Sequence, residues 1–331
     1  MRISASVKKM SGLLALFSGL WLSALGLPPD SVKKKTVSFR QQKVANGYKF
    51  IRQAQNQLSR SDTLTMRNFY RALDSLRAGT RKKVKVVHIG DSHIQADIFS
   101  GKVRQLLQAD SAFGNGGRGM VFPYPLARTN NPWNYKVSYT GTWSGCRNIQ
   151  ASRDCPWGLA GITAETLESD ATFSIRNNSV SATGFNLVRV FYPVQDPASF
   201  KVQLLADSLL YDPARTDPAG FVDFELPAEV NDLTIKLQKT SPFQEQFVLQ
   251  GIYLDNDRPG LQYTSVGING AAVVSFLRSP FLEPQLASLQ PDLIIISLGT
   301  NDAYGKNFDP KVYFQNFGAF LQRLQRAAPQ A

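Results

Sequence analysis

The sequence predicts an α/β protein in which a parallel sheet is interrupted by a long antiparallel β segment. Two short apolar runs, Val84–Ile89 and Leu293–Leu298, are each followed by glycine and polar residues, which is typical of buried parallel strands. Between residues 163 and 257 apolar and polar residues alternate and prolines recur, as in half-buried antiparallel strands. We therefore expect an α/β domain formed by residues 61–162 and 258–331, with residues 163–257 inserted as an antiparallel β-sandwich.

The N-terminal residues predict export. Basic residues precede an apolar stretch from Ser11 to Leu27, which ends in small residues. We expect residues 1–27 to be a signal peptide, residues 28–60 a linker, and the protein to be periplasmic or extracellular. An uncleaved N-terminal membrane anchor is the alternative, because about 17 apolar residues are at the lower limit for a membrane span.

The segments on either side of the first strand predict two helices. Ser61-Asp62 is suited to cap a helix that ends near Gly79. The apolar positions of this helix are Leu64, Phe69, Leu73 and Leu76. A second helix is predicted from Ala96 to Ala109. Its expected inner face consists of Ile98, Val103, Leu106 and Leu107.

A glycine-rich stretch, residues 113–119, formally contains G-x-G-x-x-G. A dinucleotide site requires a strand before this motif and a helix after it, and here a helix precedes it. A turn-rich active-site loop is therefore favoured over nucleotide binding.

The α/β pattern resumes at Tyr263, followed by a predicted helix near Ala271–Leu277 and the strand within Leu293–Leu298. A last helix is predicted from Val312 to Ala327. Its apolar stripe consists of Phe314, Phe317, Leu321 and Leu324.

The chain is basic, with a net charge of +12. No RNP-type string, zinc spacing or recognition-helix pattern accompanies this charge, so no nucleic-acid partner is expected. A basic exported protein is better suited to an anionic envelope surface or polysaccharide.

Cys146 and Cys155 are the only cysteines. In an exported chain they can form a disulfide, and two buried thiols are the alternative. Aromatic residues cluster in the same part of the chain and either stack on sugar rings or seal a junction between domains. They are Trp133, Tyr135, Tyr139, Trp143 and Trp157.

Polar residues with chemical potential directly follow the predicted parallel strands. Ser92 follows the first apolar run and Asn301 follows Leu293–Leu298. In an open α/β sheet the ligand crevice lies beyond the carboxyl ends of the strands. We therefore expect a serine hydroxyl and a side-chain amide to meet in one crevice.

These blocks resemble those of the SGNH (GDSL-like) hydrolases, which cleave or transfer acyl esters. The matching strings are Gly90-Asp91-Ser92-His93, Tyr263-Thr-Ser-Val-Gly-Ile-Asn-Gly270 and Gly299-Thr300-Asn301-Asp302. The resemblance implies a three-layer flavodoxin-like sheet, with Ser92 as the nucleophile. It also implies an oxyanion hole formed by the backbone N–H groups of Ser92 and Gly270 and the amide of Asn301, with Gly267 as a near alternative to Gly270. Asp91 and Asp302 are expected to brace loops, and no metal or organic cofactor is implied.

The fourth family element, an Asp-x-x-His that supplies the base and its orienting carboxylate, is not found in this chain. The only histidines are His88 and His93. His88 lies inside a predicted strand, where a hydrogen-bonded core histidine is expected, and the His93 side chain should diverge from that of Ser92. We expect either a C-terminally incomplete product of a full hydrolase, which is favoured because the chain stops where a fourth strand would begin, or a domain that binds without cleaving.

The resemblance leads us to expect an exported O-acetyl esterase acting on cell-wall or extracellular glycans. Its partner would be an acetylated polysaccharide or peptidoglycan, and the membrane only if the signal segment is uncleaved. This chain alone would be inactive for lack of a base. A non-catalytic glycan-binding protein and a glycan O-acetyltransferase are the alternatives.

Overall fold

The computed structural model describes residue 59 and residues 66–178, 184–194, 199–304 and 306–331. The predicted signal peptide, the linker apart from Ser59, and the Ser61-Asp62 helix cap lie outside the described residues. The elements below belong to one compact unit, Arg60–Ala331. No helix in the described ranges is both long and apolar enough to cross a membrane.

The elements follow in chain order. The helices are α1 (Arg67–Arg77), α2 (Ser92–Gln95), α3 (Phe99–Gln108), α4 (Val273–Leu277), α5 (Leu282–Leu289), α6 (Thr300–Ala303) and α7 (Pro310–Ala327). The first strands are β1 (Lys83–Gly90), β2 (Gly119–Val121), β3 (Tyr135–Thr140), β4 (Ser144–Arg147), β5 (Ile162–Thr166), β6 (Thr172–Asn177), β7 (Phe185–Phe191) and β8 (Lys201–Ala206). The later strands are β9 (Leu209–Tyr211), β10 (Arg215–Asp217), β11 (Phe221–Val230), β12 (Asp232–Gln238), β13 (Phe247–Leu249), β14 (Gly251–Asp255), β15 (Gly260–Gly267) and β16 (Leu293–Ser297).

β1 is the central strand of a three-stranded parallel sheet with the order β15-β1-β16. Its apolar side chains are buried, as expected for a strand covered on both faces. Gly90 pairs with Gly267 of β15 and with Ser297 of β16. Because the three strands end level, the loops that follow them meet at one edge of the sheet. The mixed α/β class is thus confirmed, whereas the complete flavodoxin-like layering stays a prediction.

β16 forms an edge of this sheet. Within the described part of the chain it pairs only with β1. All five of its residues, Leu293–Ser297, are only half-buried. An edge of this kind presents unpaired N–H and C=O groups to other chains.

The other strands form three antiparallel sheets. Their orders are β10-β11-β7-β14-β2, β3-β6-β12-β8-β9 and β13-β5-β4. The predicted alternation is present, since Val222, Phe224 and Leu226 of β11 are all buried. β2, β3 and β4 also join these sheets, although they precede residue 163. The boundaries at 163 and 257 and the sandwich arrangement remain predictions.

The predicted helix Ala96–Ala109 is interrupted. Asp97 has a positive φ of 52°, which separates α2 from α3. The expected inner face was wrong at Ile98 and Leu106, which are exposed, whereas Ser100 and Arg104 are buried. These two polar side chains turn inward because both hydrogen-bond the buried Asp97 carboxylate.

The last helix, α7, begins at Pro310 and is capped by the Asp309 side chain. Its expected apolar stripe was partly wrong, since Phe314 is 74% exposed while Phe320 is fully buried. The helix is rotated because it packs against α4 and α5, where Phe320 stacks on Phe276. Short apolar runs give no strong signal for α5, which the sequence analysis missed.

The glycine-rich stretch packs away from the crevice. The N–H of Gly116 donates to the Leu261 carbonyl at 3.1 Å, at the start of β15. A Cβ on Gly116 would lie 2.5 Å from the Gly260 oxygen, so glycine permits this close backbone approach. Gly116 of this stretch therefore serves backbone packing, and the expectation of an active-site loop stays a prediction.

Cys146 and Cys155 form a disulfide. The predicted aromatic cluster divides into two groups. Tyr135, Trp143 and Trp157 belong to the buried core, whereas Trp133 and Tyr139 are exposed.

Candidate active site

Ser92 lies at the carboxyl end of the central strand. β1 ends at Gly90, Asp91 caps the following helix, and Ser92 is the first residue of α2. The Asp91 carboxylate accepts a hydrogen bond from the His93 N–H at 3.0 Å. This cap fixes the turn that carries the half-buried Ser92.

Asn301 follows the neighbouring strand, β16. Its Nδ2 donates to the Ala271 carbonyl at 2.9 Å and to the Asp91 carboxylate at 3.3 Å. Asp91 therefore contacts both the serine turn and the amide. The structure thus brings the first and third predicted blocks together, as the sheet order requires.

Gly270 and Gly267 have different surroundings. Gly267 is buried, and a Cβ there would lie 2.2 Å from the backbone nitrogen of Gln95, so its place is explained by close packing on α2. Gly270 is exposed, with a φ of +82° and no atom closer than 3.6 Å to an added Cβ. Close packing therefore accounts for a glycine at 267, and the role of Gly270 as the backbone donor stays a prediction.

Gln95 is a site residue that the sequence analysis missed. Its buried side chain accepts a hydrogen bond from the Asn269 N–H at 2.7 Å and donates to the Asn130 carbonyl at 2.9 Å. It joins the serine helix to the loop that carries Gly270. A glutamine three residues after the serine was the only signal for this role in the sequence.

Asp302 braces a loop, as predicted. Its carboxylate accepts the Val273 N–H at 3.1 and 3.2 Å, at the start of α4. This contact fixes the segment that includes Ala271, whose carbonyl accepts a hydrogen bond from the Asn301 amide.

His88 is a buried residue of the sheet. Its two ring nitrogens lie 2.7 Å from the Tyr263 hydroxyl and 2.7 Å from the Ser297 hydroxyl. Burial lowers the pKa of His88 to about 4, so the ring is neutral at pH 7. It stabilises all three parallel strands and is not directed at the crevice by any of these contacts.

His93 is exposed, with 77% of its side chain accessible. Its Nδ1 lies 3.1 Å from the Asp91 carboxylate, a contact that could orient an imidazole. A base would also need its second nitrogen within about 3 Å of the Ser92 hydroxyl. Between these two described side chains there is no hydrogen bond.

The arrangement can stabilise an oxyanion next to a serine hydroxyl. Ser92, Gly270 and Asn301 lie on the segments that follow β1, β15 and β16, and hydrogen bonds of Asp91 and Gln95 join these segments. Neither histidine is placed to remove the serine proton. The geometry therefore supplies part of the machinery for acyl transfer.

Comparisons with known proteins bear on the family and the fold. Residues 249–331, which include Gly270 and Asn301, match the model of the GDSL-like lipase/acylhydrolase family. The fold is similar to that of a peptidoglycan O-acetylesterase, with 23% identity, 80% of this chain and 69% of that chain covered, and a TM-score of 0.61. A family two carbohydrate esterase from Cellvibrio japonicus is 12% identical over 60% of this chain and 77% of that chain, but its TM-score of 0.22 supports no structural argument.

No curated protein has a significantly similar sequence. The family match over residues 249–331 and the shared fold nevertheless confirm the predicted resemblance of the chain to the GDSL-like (SGNH) hydrolases.

Proposed function

We propose that the protein is an exported SGNH-type carboxylester hydrolase that acts on O-acetyl groups of cell-wall or extracellular glycans. The observation that supports the proposal is a pair of hydrogen bonds at one sheet edge, from Asn301 to Asp91, which precedes Ser92, and from Asn269, which precedes Gly270, to Gln95 of the serine helix. The similar fold of a peptidoglycan O-acetylesterase supports the choice of acetyl ester and glycan.

The chemistry follows from the positions of these groups. The Ser92 oxygen attacks the acetyl carbonyl while a base, which has to be supplied to this chain, takes the serine proton and passes it to the departing glycan oxygen. Water then hydrolyses the acetyl-serine to acetate and regenerates the Ser92 hydroxyl. The oxyanion accepts hydrogen bonds from backbone N–H groups and from Asn301, each worth about 3 kcal/mol in the transition state. The Asn301 amide donates two hydrogen bonds, and the one to Asp91, at 3.3 Å, is longer than the one to the Ala271 carbonyl, at 2.9 Å. The amide hydrogen that faces Asp91 is therefore the one that we expect to turn towards the oxyanion.

The 331-residue chain alone is expected to be nearly inactive. The buried His88 is engaged by two hydroxyl groups, and the described side chain of His93 hydrogen-bonds Asp91 and not the Ser92 hydroxyl. Loss of the histidine from a serine triad costs on the order of a million-fold in turnover. Hydrolysis of p-nitrophenyl acetate should therefore be at trace level and unchanged in Ser92→Ala.

Imidazole rescue tests whether the remaining machinery is competent. Imidazole supplies a base of the missing kind, so it should produce an increment in p-nitrophenyl acetate hydrolysis above the rate of imidazole alone. Ser92→Ala should abolish this increment, and Asn301→Ala should reduce it about 100-fold or more, as for loss of one oxyanion donor. The exposed Ser111 provides the matched control, and Ser111→Ala should retain the increment.

Three results would each contradict a part of the proposal. A robust Ser92-dependent rate without imidazole would disprove the expected inactivity, and its loss in His93→Ala would identify His93 as the base. No increment in any variant would favour the non-catalytic glycan-binding alternative. Transfer of acetyl to an added glycan in preference to water would favour the O-acetyltransferase.

A further inference from the structure

A groove of about 500 Å³ runs along the exposed side of α3. One wall extends along α3 from Ile98 to Gln108, and the other includes Arg118, Trp133 and Asn134. We call it the α3 groove. Its volume is typical of a small-molecule site, and side-chain amides and cations line it beside one aromatic ring.

Trp133 gives the groove an uncovered aromatic face. The residue is 63% exposed, although its backbone is fixed because Asn178 Nδ2 donates to its carbonyl at 2.8 Å. Asn131 holds the next turn by donating to the Tyr135 carbonyl at 2.7 Å. An exposed indole on a fixed backbone is suited to stack on the C–H face of a sugar ring, since aromatic faces are negative and ring C–H groups are slightly positive.

The polar wall carries excess positive charge. Asp97 accepts hydrogen bonds from Arg104 and from Arg118 at 2.9 Å, so one carboxylate faces two guanidinium groups. Although burial raises the pKa of Asp97, the charges of Arg118 and Arg104 outweigh it and hold this pKa well below its usual range. Lys102 adds a further positive charge at the groove. An anionic ligand would balance this excess.

Three buried polar atoms on residues of this groove have no hydrogen-bond partner among the described residues. They are Arg118 Nη1, Asn134 Oδ1 and Asn177 Nδ2. Each unmade bond of this kind costs about 1–3 kcal/mol, so three on one groove require an explanation. If these side chains turn towards the groove, Arg118 and Asn177 can donate to a ligand carboxylate and Asn134 can accept from a ligand hydroxyl.

We propose that the α3 groove binds a carboxylate-bearing sugar of a polysaccharide, stacked on Trp133 with its carboxylate towards Arg118. Hydrogen bonds link the segment that carries Trp133 to the candidate active site, because Gln95 bonds both Asn130, three residues before Trp133, and Asn269 beside Gly270. This inference rests on the proposed function and specifies its substrate class as an acidic glycan.

Binding is tested directly in the Ser92→Ala full-length chain by calorimetry and tryptophan fluorescence, so that the result does not depend on turnover. The probes are the disaccharide N-acetylglucosaminyl-N-acetylmuramic acid, tetragalacturonate, and the methyl ester of each. We expect at least one free acid to bind, and the acid that binds distinguishes a muramic-type from a uronic-type source. Its methyl ester should bind at least five-fold more weakly, because Arg118 then loses a charged partner.

Variants assign the binding to the groove. Trp133→Ala and Arg118→Lys should each weaken binding at least ten-fold, while Tyr139→Ala, which removes an exposed aromatic ring outside the groove lining, should not change it. Circular dichroism checks that each variant is folded. If Arg118→Lys does not fold, Trp133→Ala alone is sufficient to assign the binding to the groove. Absence of binding, equal binding of acid and ester, or unchanged binding in Trp133→Ala would overturn the proposal. Intact binding with a failed imidazole rescue would instead refute only the esterase.

Discussion

Acidification should destabilise this protein through His88. The folded chain holds this ring neutral, with a pKa lowered by burial to about 4. In the unfolded chain a histidine takes up a proton near pH 6.5. Between these two values the unfolded state binds more protons, so the free energy of unfolding rises with pH. The stabilisation is therefore complete above about pH 6.5 and is lost as the pH falls towards 4.

The magnitude follows from the separation of the two pKa values. Each pH unit inside the window changes the free energy of unfolding by about 1.4 kcal/mol, so a fall from pH 7 to pH 5 should remove about 2 kcal/mol. For a chain of this size the expected fall in Tm is roughly 3–4 °C. The carboxylate of Asp97, which is held ionised by Arg118 and Arg104, affects stability only at lower pH, near and below about 4.

Urea titrations at pH 5, 6 and 7 measure this slope. His88→Gln keeps a donor and an acceptor for Tyr263 and Ser297 but does not titrate, so its slope should largely disappear. The matched control His93→Gln alters an exposed histidine and should keep the slope of the parent protein. A parent stability that is flat from pH 5 to 7, or an unchanged slope in His88→Gln, would refute the reasoning.

Three other features also lead to measurable expectations. Cys155→Ala should lower the free energy of unfolding by about 2–3 kcal/mol, the value for closing a short loop, and an unchanged denaturant midpoint would contradict a stabilising disulfide. The open edge of β16 should cause concentration-dependent association in sedimentation velocity, which a constant sedimentation coefficient would exclude. A fragment of residues 119–257 should unfold cooperatively. A fragment of residues 163–257 should not, because it lacks β2, β3 and β4 of the antiparallel sheets. Equal cooperativity of the two fragments would show that these three strands are dispensable.

The parallel strands and the meeting of the site residues could be predicted from short sequences. The apolar runs before Ser92 and Asn301 form β1 and β16, since a strand buried on both faces must be apolar at nearly every position. The polar residue that comes directly after each strand therefore lies at the common carboxyl edge of the sheet. Local sequence therefore places these residues, and sheet order brings them together.

Helix faces could not be predicted in the same way, because distant partners decide them. Arg104 occupies an inward position that a hydrophobic pattern assigns to solvent, and only its contact with Asp97 explains this burial. Phe320 is buried and Phe314 exposed because α4 and α5 contact one side of α7. No local sequence pattern predicts the role of Gln95, since its hydrogen bonds join loops that are remote in sequence.

The register of the parallel sheet also bears on the order of folding. Lys83 pairs with Gly260, so β1 meets its neighbour only after the whole of residues 91–259 has been synthesised. Closing so long a loop is entropically costly unless the intervening antiparallel strands collapse first and bring its ends together. Until then the valine-rich β1 has no sheet to join and is exposed to aggregation. Folding of the antiparallel region is therefore expected to limit the rate at which the serine turn acquires its final position.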